Sequence, residues 1–296
     1  MTSITLGVGI AIQPYVKMMY ERCTKMIEQS IFTNAQSKME QMDWDFAICS
    51  LDLLGSLVEV FGENTQTLIN NSNLIQNLFE CMNNNDPYLR QTSFALCGDL
   101  ARNCFSVFQL NVLEKFLPVL SNNVNYTDQS VCNNAVWALC EISLKIGNSV
   151  SPILLNVLPK IVLFLDDDNL EDFVLENLAS SIGRFGISCP DLVSQSMDKW
   201  IKNFCIFVVR MQHHSEKDEA FRGFCSMVFK NPKVVIENFK YFCDAVDSVQ
   251  DLSQKTEQIV GQTLSWLKQN LGNNWAQCWS NVPDYLKIRL SKRFNI

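Results

Sequence analysis

Apolar residues recur along this chain at the three-and-four spacing of amphipathic helices, and one short motif inside that pattern returns five times. Leu54-Gly55-Ser56-Leu57 is followed by Cys97-Gly98-Asp99-Leu100, Leu139-Cys140-Glu141-Ile142, Ile182-Gly183-Arg184-Phe185 and Cys225-Ser226-Met227-Val228, at intervals of 43, 42, 43 and 43 residues. Each copy sets an apolar residue, a small one, a variable one and a second apolar one in the same order. A period of this length holds two helices and their turns, as in HEAT and armadillo arrays. One such pair cannot bury its apolar face alone, so copies must stack on a shared core. The pattern predicts an all-α, right-handed HEAT-repeat solenoid: a single array over residues 1–296, with six to seven helix pairs.

The individual helices follow from the same periodicity. They are expected over residues 15–32, 46–61, 73–82, 89–105, 110–120, 130–146, 152–165, 172–185, 190–211, 218–229 and 232–246, with two or three short helices after them. Gly62, Gly147 and Gly186 stand where helices should close. Asn83 to Pro87 makes a tight turn, with proline suited to the first turn of the next helix. The acidic run Asp166-Asp167-Asp168 suits helix capping. No alternating strand pattern and no Asn-Gly hairpin interrupts the series.

In each copy the second helix carries two further sets of positions. Two residues before the motif stand Asp52, Ala95, Trp137, Ser180 and Gly223; at its third residue stand Ser56, Asp99, Glu141, Arg184 and Met227. The sets lie four residues apart and share one helix face. Glu59, seven after Asp52, joins them. Stacking predicts a continuous strip: acidic at Asp52, Glu59 and Asp99, aromatic and acidic at Trp137 and Glu141, mixed at Glu176, Asn177 and Ser180. Trp137 stands where other copies have Asp, Ala, Ser or Gly, which suits an aromatic platform for an extended basic and apolar peptide; packing between repeats is the competing role.

The charge balance suits the peptide reading and equally suits simple solubility. The net charge is −7, and residues 1–100 hold eleven acidic against five basic side chains, while Lys287, Arg289, Lys292 and Arg293 crowd the last ten. An acidic third repels nucleic acid and attracts basic partners. The twelve cysteines form no C-x-x-C, and Cys49, Cys97, Cys104, Cys132, Cys140, Cys205, Cys225 and Cys243 fall in apolar helical patterns, as buried free thiols do. The longest apolar stretch, 153–165, is broken by Asn156, Pro159 and Lys160, so no membrane span is expected. Phosphate-loop, dinucleotide, nucleophile-elbow and zincin motifs are missing, and the two histidines, His213 and His214, sit in a polar connector. No catalytic residue, metal ligand or cofactor site is expected.

Residues 130–138 (Ser-Val-Cys-Asn-Asn-Ala-Val-Trp-Ala) with Glu141-Ile142-Ser143 closely resemble a stretch of the transportins, import receptors of the karyopherin-beta family. The resemblance extends in order to Leu51-Asp52-Leu53-Leu54, residues 90–96, Glu176-Asn177, Ile182-Gly183-Arg184, residues 215–223 and residues 242–246. It implies a HEAT-repeat cargo-binding arch and no enzyme activity. Asp52, Glu59 and Asp99 match acidic residues that meet the basic part of a proline-tyrosine nuclear localisation signal. Trp137 matches the tryptophan against the signal's apolar element, with Asn133 close by. Ser180 stands where the family has isoleucine, and Cys140 where it has glycine. The resemblance further implies cargo proteins and nucleoporins as partners, shuttling between cytoplasm and nucleus, and Ran GTPase only if a longer chain exists; the sequence looks truncated, without the Ran-binding arch. An alternative is a HEAT scaffold or regulatory subunit, or a chaperone of basic proteins.

Overall fold

The computed structural model describes residues 2–36, 44–167, 169–212, 215–249 and 252–296, so His213, His214 and Asp168 lie outside the described residues. The chain divides into two compact units, Met1–Lys145 and Ile146–Ile296. Each is all-helical among its described residues.

In the first unit the helices are α1 (Thr2–Val8), α2 (Val16–Gln36), α3 (Asp45–Phe61), α4 (Gln66–Asn70), α5 (Leu74–Met82), α6 (Pro87–Asn103), α7 (Leu117–Asn122) and α8 (Gln129–Ile146). α2 packs on α3 and α5 on α6, and the motif-bearing helices α3 and α6 lie side by side. Leu54, Leu57, Leu100, Leu139 and Ile142 are all buried, so the motif builds the core as expected. The turn before α6 also forms as expected: the Asp86 carboxylate accepts from the Leu89 N–H at 2.9 Å, with Pro87 next to it. Gly62 closes α3 and Gly147 follows α8 with φ of 49° and 57°, a region that only glycine enters cheaply.

The helix expected over 110–120 is broken. A 3-10 turn at Gln109–Asn111 leads into a wide turn at Val112–Phe116, where the Leu117 N–H reaches back five residues to the Val112 carbonyl. Pro118 follows and has no N–H to give, so the regular ladder cannot continue unaltered.

The second unit holds α9 (Ser151–Phe164), α10 (Asp172–Ser188), α11 (Pro190–Val193), α12 (Met197–Arg210), α13 (Ser215–Val228), α14 (Pro232–Glu237), α15 (Phe239–Ser248), α16 (Gln254–Leu271), α17 (Asn273–Ser280) and α18 (Asp284–Phe294). The single helices expected over 190–211 and 232–246 are each two. Gly186 does not end α10. It lies inside it, where the Met227 Sδ of α13 would be 2.9 Å from an added Cβ. Its role is close packing. The expected capping by the acidic run is not seen at its described members: the Asp167 carboxylate accepts from the Asn169 N–H at 2.9 Å, and α10 begins after Glu171, whose side chain makes no capping bond.

One helical run, Gln129–Phe164, is long and apolar enough by length and composition to cross a membrane. Gly147 divides it into α8 and α9, and Glu141, Lys145 and Lys160 interrupt its apolar character. Ten of the twelve cysteines are buried; Cys49, expected in the core, is exposed, and Cys278 is intermediate.

Candidate peptide-binding surface on the motif helices

Neighbouring motif helices run parallel and touch at repeated offsets. From α8 to α6, the Asn134 side chain donates to the Gln91 carbonyl at 3.0 Å, 43 residues earlier. The Arg102 guanidinium donates to the Glu141 carboxylate at 2.6 Å, 39 residues later. Lys145 Nζ donates to the Arg102 carbonyl at 2.9 Å, again 43 residues apart. Between these contacts the six-membered ring of Trp137 lies on Gly98, with Cζ3, Cε3 and Cη2 all inside the volume a Cβ there would need. The small second residue of the motif is therefore what admits the indole. In the α3–α6 step Gly55 plays the same part, with Asp99 Oδ2 2.7 Å from its would-be Cβ.

This packing sorts the expected strip into exposed and buried members. Asp52 and Glu59 on α3 are exposed, and Asp99, Asn133 and Trp137 are half-buried. Trp137 is wedged between repeats on one side and open on another. Glu141 and Ser180 are corrections to the expected surface: they are 3% and 1% exposed. The motif's third position points between neighbouring helices, so Glu141 is held by Arg102 and only Asp99 keeps partial access. Arg184 and Met227, at the same position, are buried too. On α10 in the second unit, Glu176 and Asn177 are half-buried. The Glu176 charge acts on Lys217, a 1% exposed lysine on α13 that donates to the Met211 carbonyl at 2.9 Å. Ser180 is buried on the same helix.

Arg102 is the site residue missing from the sequence reading. Its guanidinium carbon lies 5.2 Å from the centroid of the Trp137 ring, within cation–π reach. It stands 43 residues after Glu59, at the same position of the repeat. The sign of charge at that position is therefore reversed between the first two copies. Arg102 faces Glu141 of the next helix, and Glu59 stands in the corresponding place toward Asp99. The consequence appears at Asp99, whose carboxyl is pushed up to about 7, first by burial and then by Glu59, with Arg102 opposing and Glu141 and Asp52 adding to the rise. No ion pair compensates Asp99 among the described residues. At the α3–α6 step Glu59 thus meets Asp99 with only the partial offset of Arg102, while at the α6–α8 step Arg102 is bonded to Glu141.

No family model matches the chain. It is 35% identical over 302 residues to Transportin-1 of Homo sapiens and of Mus musculus, covering all of this chain and 34% of theirs. The Transportin of Dictyostelium discoideum is 32% identical over 303 residues, again across the whole chain and 32% of its own length. Among solved structures, the karyopherin Kap121p bound to the SUMO protease Ulp1p aligns with TM-score 0.59 at 14% identity, over 86% of this chain and 24% of that one. A designed armadillo repeat protein aligns with TM-score 0.56 at 15% identity, over 82% and 99%. These two show the helical-repeat fold. Similar along its entire length to the transportins and folded into helical repeats, the chain is a transportin-like sequence that spans about a third of the length of these curated relatives.

Proposed function

We propose that this chain is the cargo-binding part of a nuclear import receptor and takes an extended basic and apolar signal segment on the motif helices of its first unit. The observation that carries the reading is the half-open indole of Trp137 set one motif helix from the partly open Asp99 and two from exposed Asp52 and Glu59. Basic side chains of the signal meet the three carboxylates, and an apolar side chain packs on the open part of the indole, with Asn133 beside it for the peptide backbone. Those helices line the concave side of the first unit's repeats, and Glu176 and Asn177 on α10 of the second unit contact cargo in their own right. The role is binding, not catalysis, with shuttling between cytoplasm and nucleus. Nucleoporins are further partners, and Ran GTPase engages only within a longer chain.

The test is Trp137→Ala. An aromatic anchor is worth about 2 kcal/mol or more on truncation, so affinity for a labelled basic-apolar peptide should fall about thirtyfold. Because the ring also covers Gly98, some stability is lost, but less than the roughly 3–5 kcal/mol of a fully buried tryptophan. Equal peptide affinity per folded molecule in the variant would refute the reading.

A further inference from the structure

The Arg102–Glu141 pair makes the Trp137 surface selective. We infer that Arg102 closes this place to basic side chains, so that the ligand must present a basic residue to Glu59 and Asp99 and an apolar one to Trp137, about three residues apart. This rests on the functional reading above and adds the order of side chains and the residue that enforces it.

Three observations carry it. Glu141 is 3% exposed and joined to Arg102 at 2.6 Å. A buried carboxylate needs that cation, so Arg102 is fixed in place rather than free to swing away. Arg102 also stands 5.2 Å from the indole centroid, where a ligand cation would sit to use the ring. A second cation there would meet like charge at short range, which acts against a wrong partner at an interface. One helix earlier the equivalent position is Glu59, and the adjacent Asp99 meets that like charge with Arg102 offsetting it only in part. The two adjacent steps therefore differ in demand: carboxylates are in excess at the first, and the cation at the second is committed to Glu141. Neighbouring packed helices lie about 8–10 Å apart, and an extended peptide advances about 3.3 Å per residue. The separation corresponds to about three residues.

The experiment compares two fluorescent peptides that share one basic residue and differ three positions away, Leu in one and Arg in the other. For the unaltered chain we expect the Arg peptide to bind at least tenfold more weakly. Removing Arg102 alone strands Glu141, so the informative variant is Arg102→Met with Glu141→Gln, its fold checked by circular dichroism. There the discrimination should shrink at least threefold, while Arg102→Lys should retain it. Discrimination within twofold of the unaltered chain in the double variant, or equal binding of both peptides by the unaltered chain, overturns the inference and leaves the binding surface standing. Failure of both peptides to bind the unaltered chain refutes the functional reading itself.

Discussion

Asp99 shows how a single side chain records its surroundings. Its carboxyl titrates near 7 in the fold against an ordinary 3.8, mainly because burial and Glu59 penalise the charge. Between those values the folded chain holds a proton that the unfolded chain has released, so this group's contribution to stability improves as pH falls from about 7 toward 4 and is lost above 7. Asp99→Asn removes the penalty. Urea denaturation should show the variant gaining more over the unaltered chain at pH 8 than at pH 5, and an equal gain at both would contradict the account. A basic ligand at the same seat favours the carboxylate, so peptide affinity should rise from pH 5.5 to 7.5 and Asp99→Asn should flatten that rise.

At the scale of the element, glycines set how closely the motif helices approach. A Cβ on Gly98 would enter the Trp137 ring, and one on Gly223 would strike the Gly183 carbonyl and come within 2.8 Å of the Ile187 N–H. Gly98→Ala should cost about 1–3 kcal/mol, as overpacking does, and Gly223→Ala should cost more because backbone cannot yield as a ring can. Gly261 in α16 meets only the Phe294 ring, at 3.4 Å. Gly261→Ala should therefore stabilise by about 0.5–1 kcal/mol through helix propensity, and thermal melts of the three variants check the ordering. The helices and their shared core were legible in the sequence because burial repeats with the motif: Leu54, Leu100, Leu139 and Ile182 are all fully buried. The wide turn before Pro118 and the splits within 190–211 and 232–246 were not, since apolar spacing continues across a break in hydrogen bonding. Asp52, Glu59 and Trp137 were legible as accessible by their departure from the apolar stripe. Glu141 was misplaced because sharing a face with Asp52 does not say whether that face meets solvent or the next helix. Comparing Glu59 with Arg102, 43 residues apart, would have revealed the missing cation.

For the molecule as a whole, the uneven charge makes recognition depend on salt. Exposed charges are screened beyond about 8–10 Å at physiological ionic strength, so basic-peptide affinity should fall steeply between about 50 and 300 mM salt. Charge reversal of Asp52 and Asp99 together should slow association in stopped flow more than it disturbs the fold; insensitivity to both salt and reversal would reduce the acidic strip to a solubilising coat. The contact ladder between α6 and α8 has a different consequence, for which changes of length the chain tolerates. One residue inserted within α8 upstream of Trp137 turns everything beyond it by about 100°, lifting the indole off Gly98 and Glu141 away from Arg102. The same insertion between residues 123 and 128 leaves both helix faces as they were. The one shortened interval, 42 residues against 43 elsewhere, spans the irregular stretch between Asn103 and Gln129. Length there can drift while the helices keep their frame.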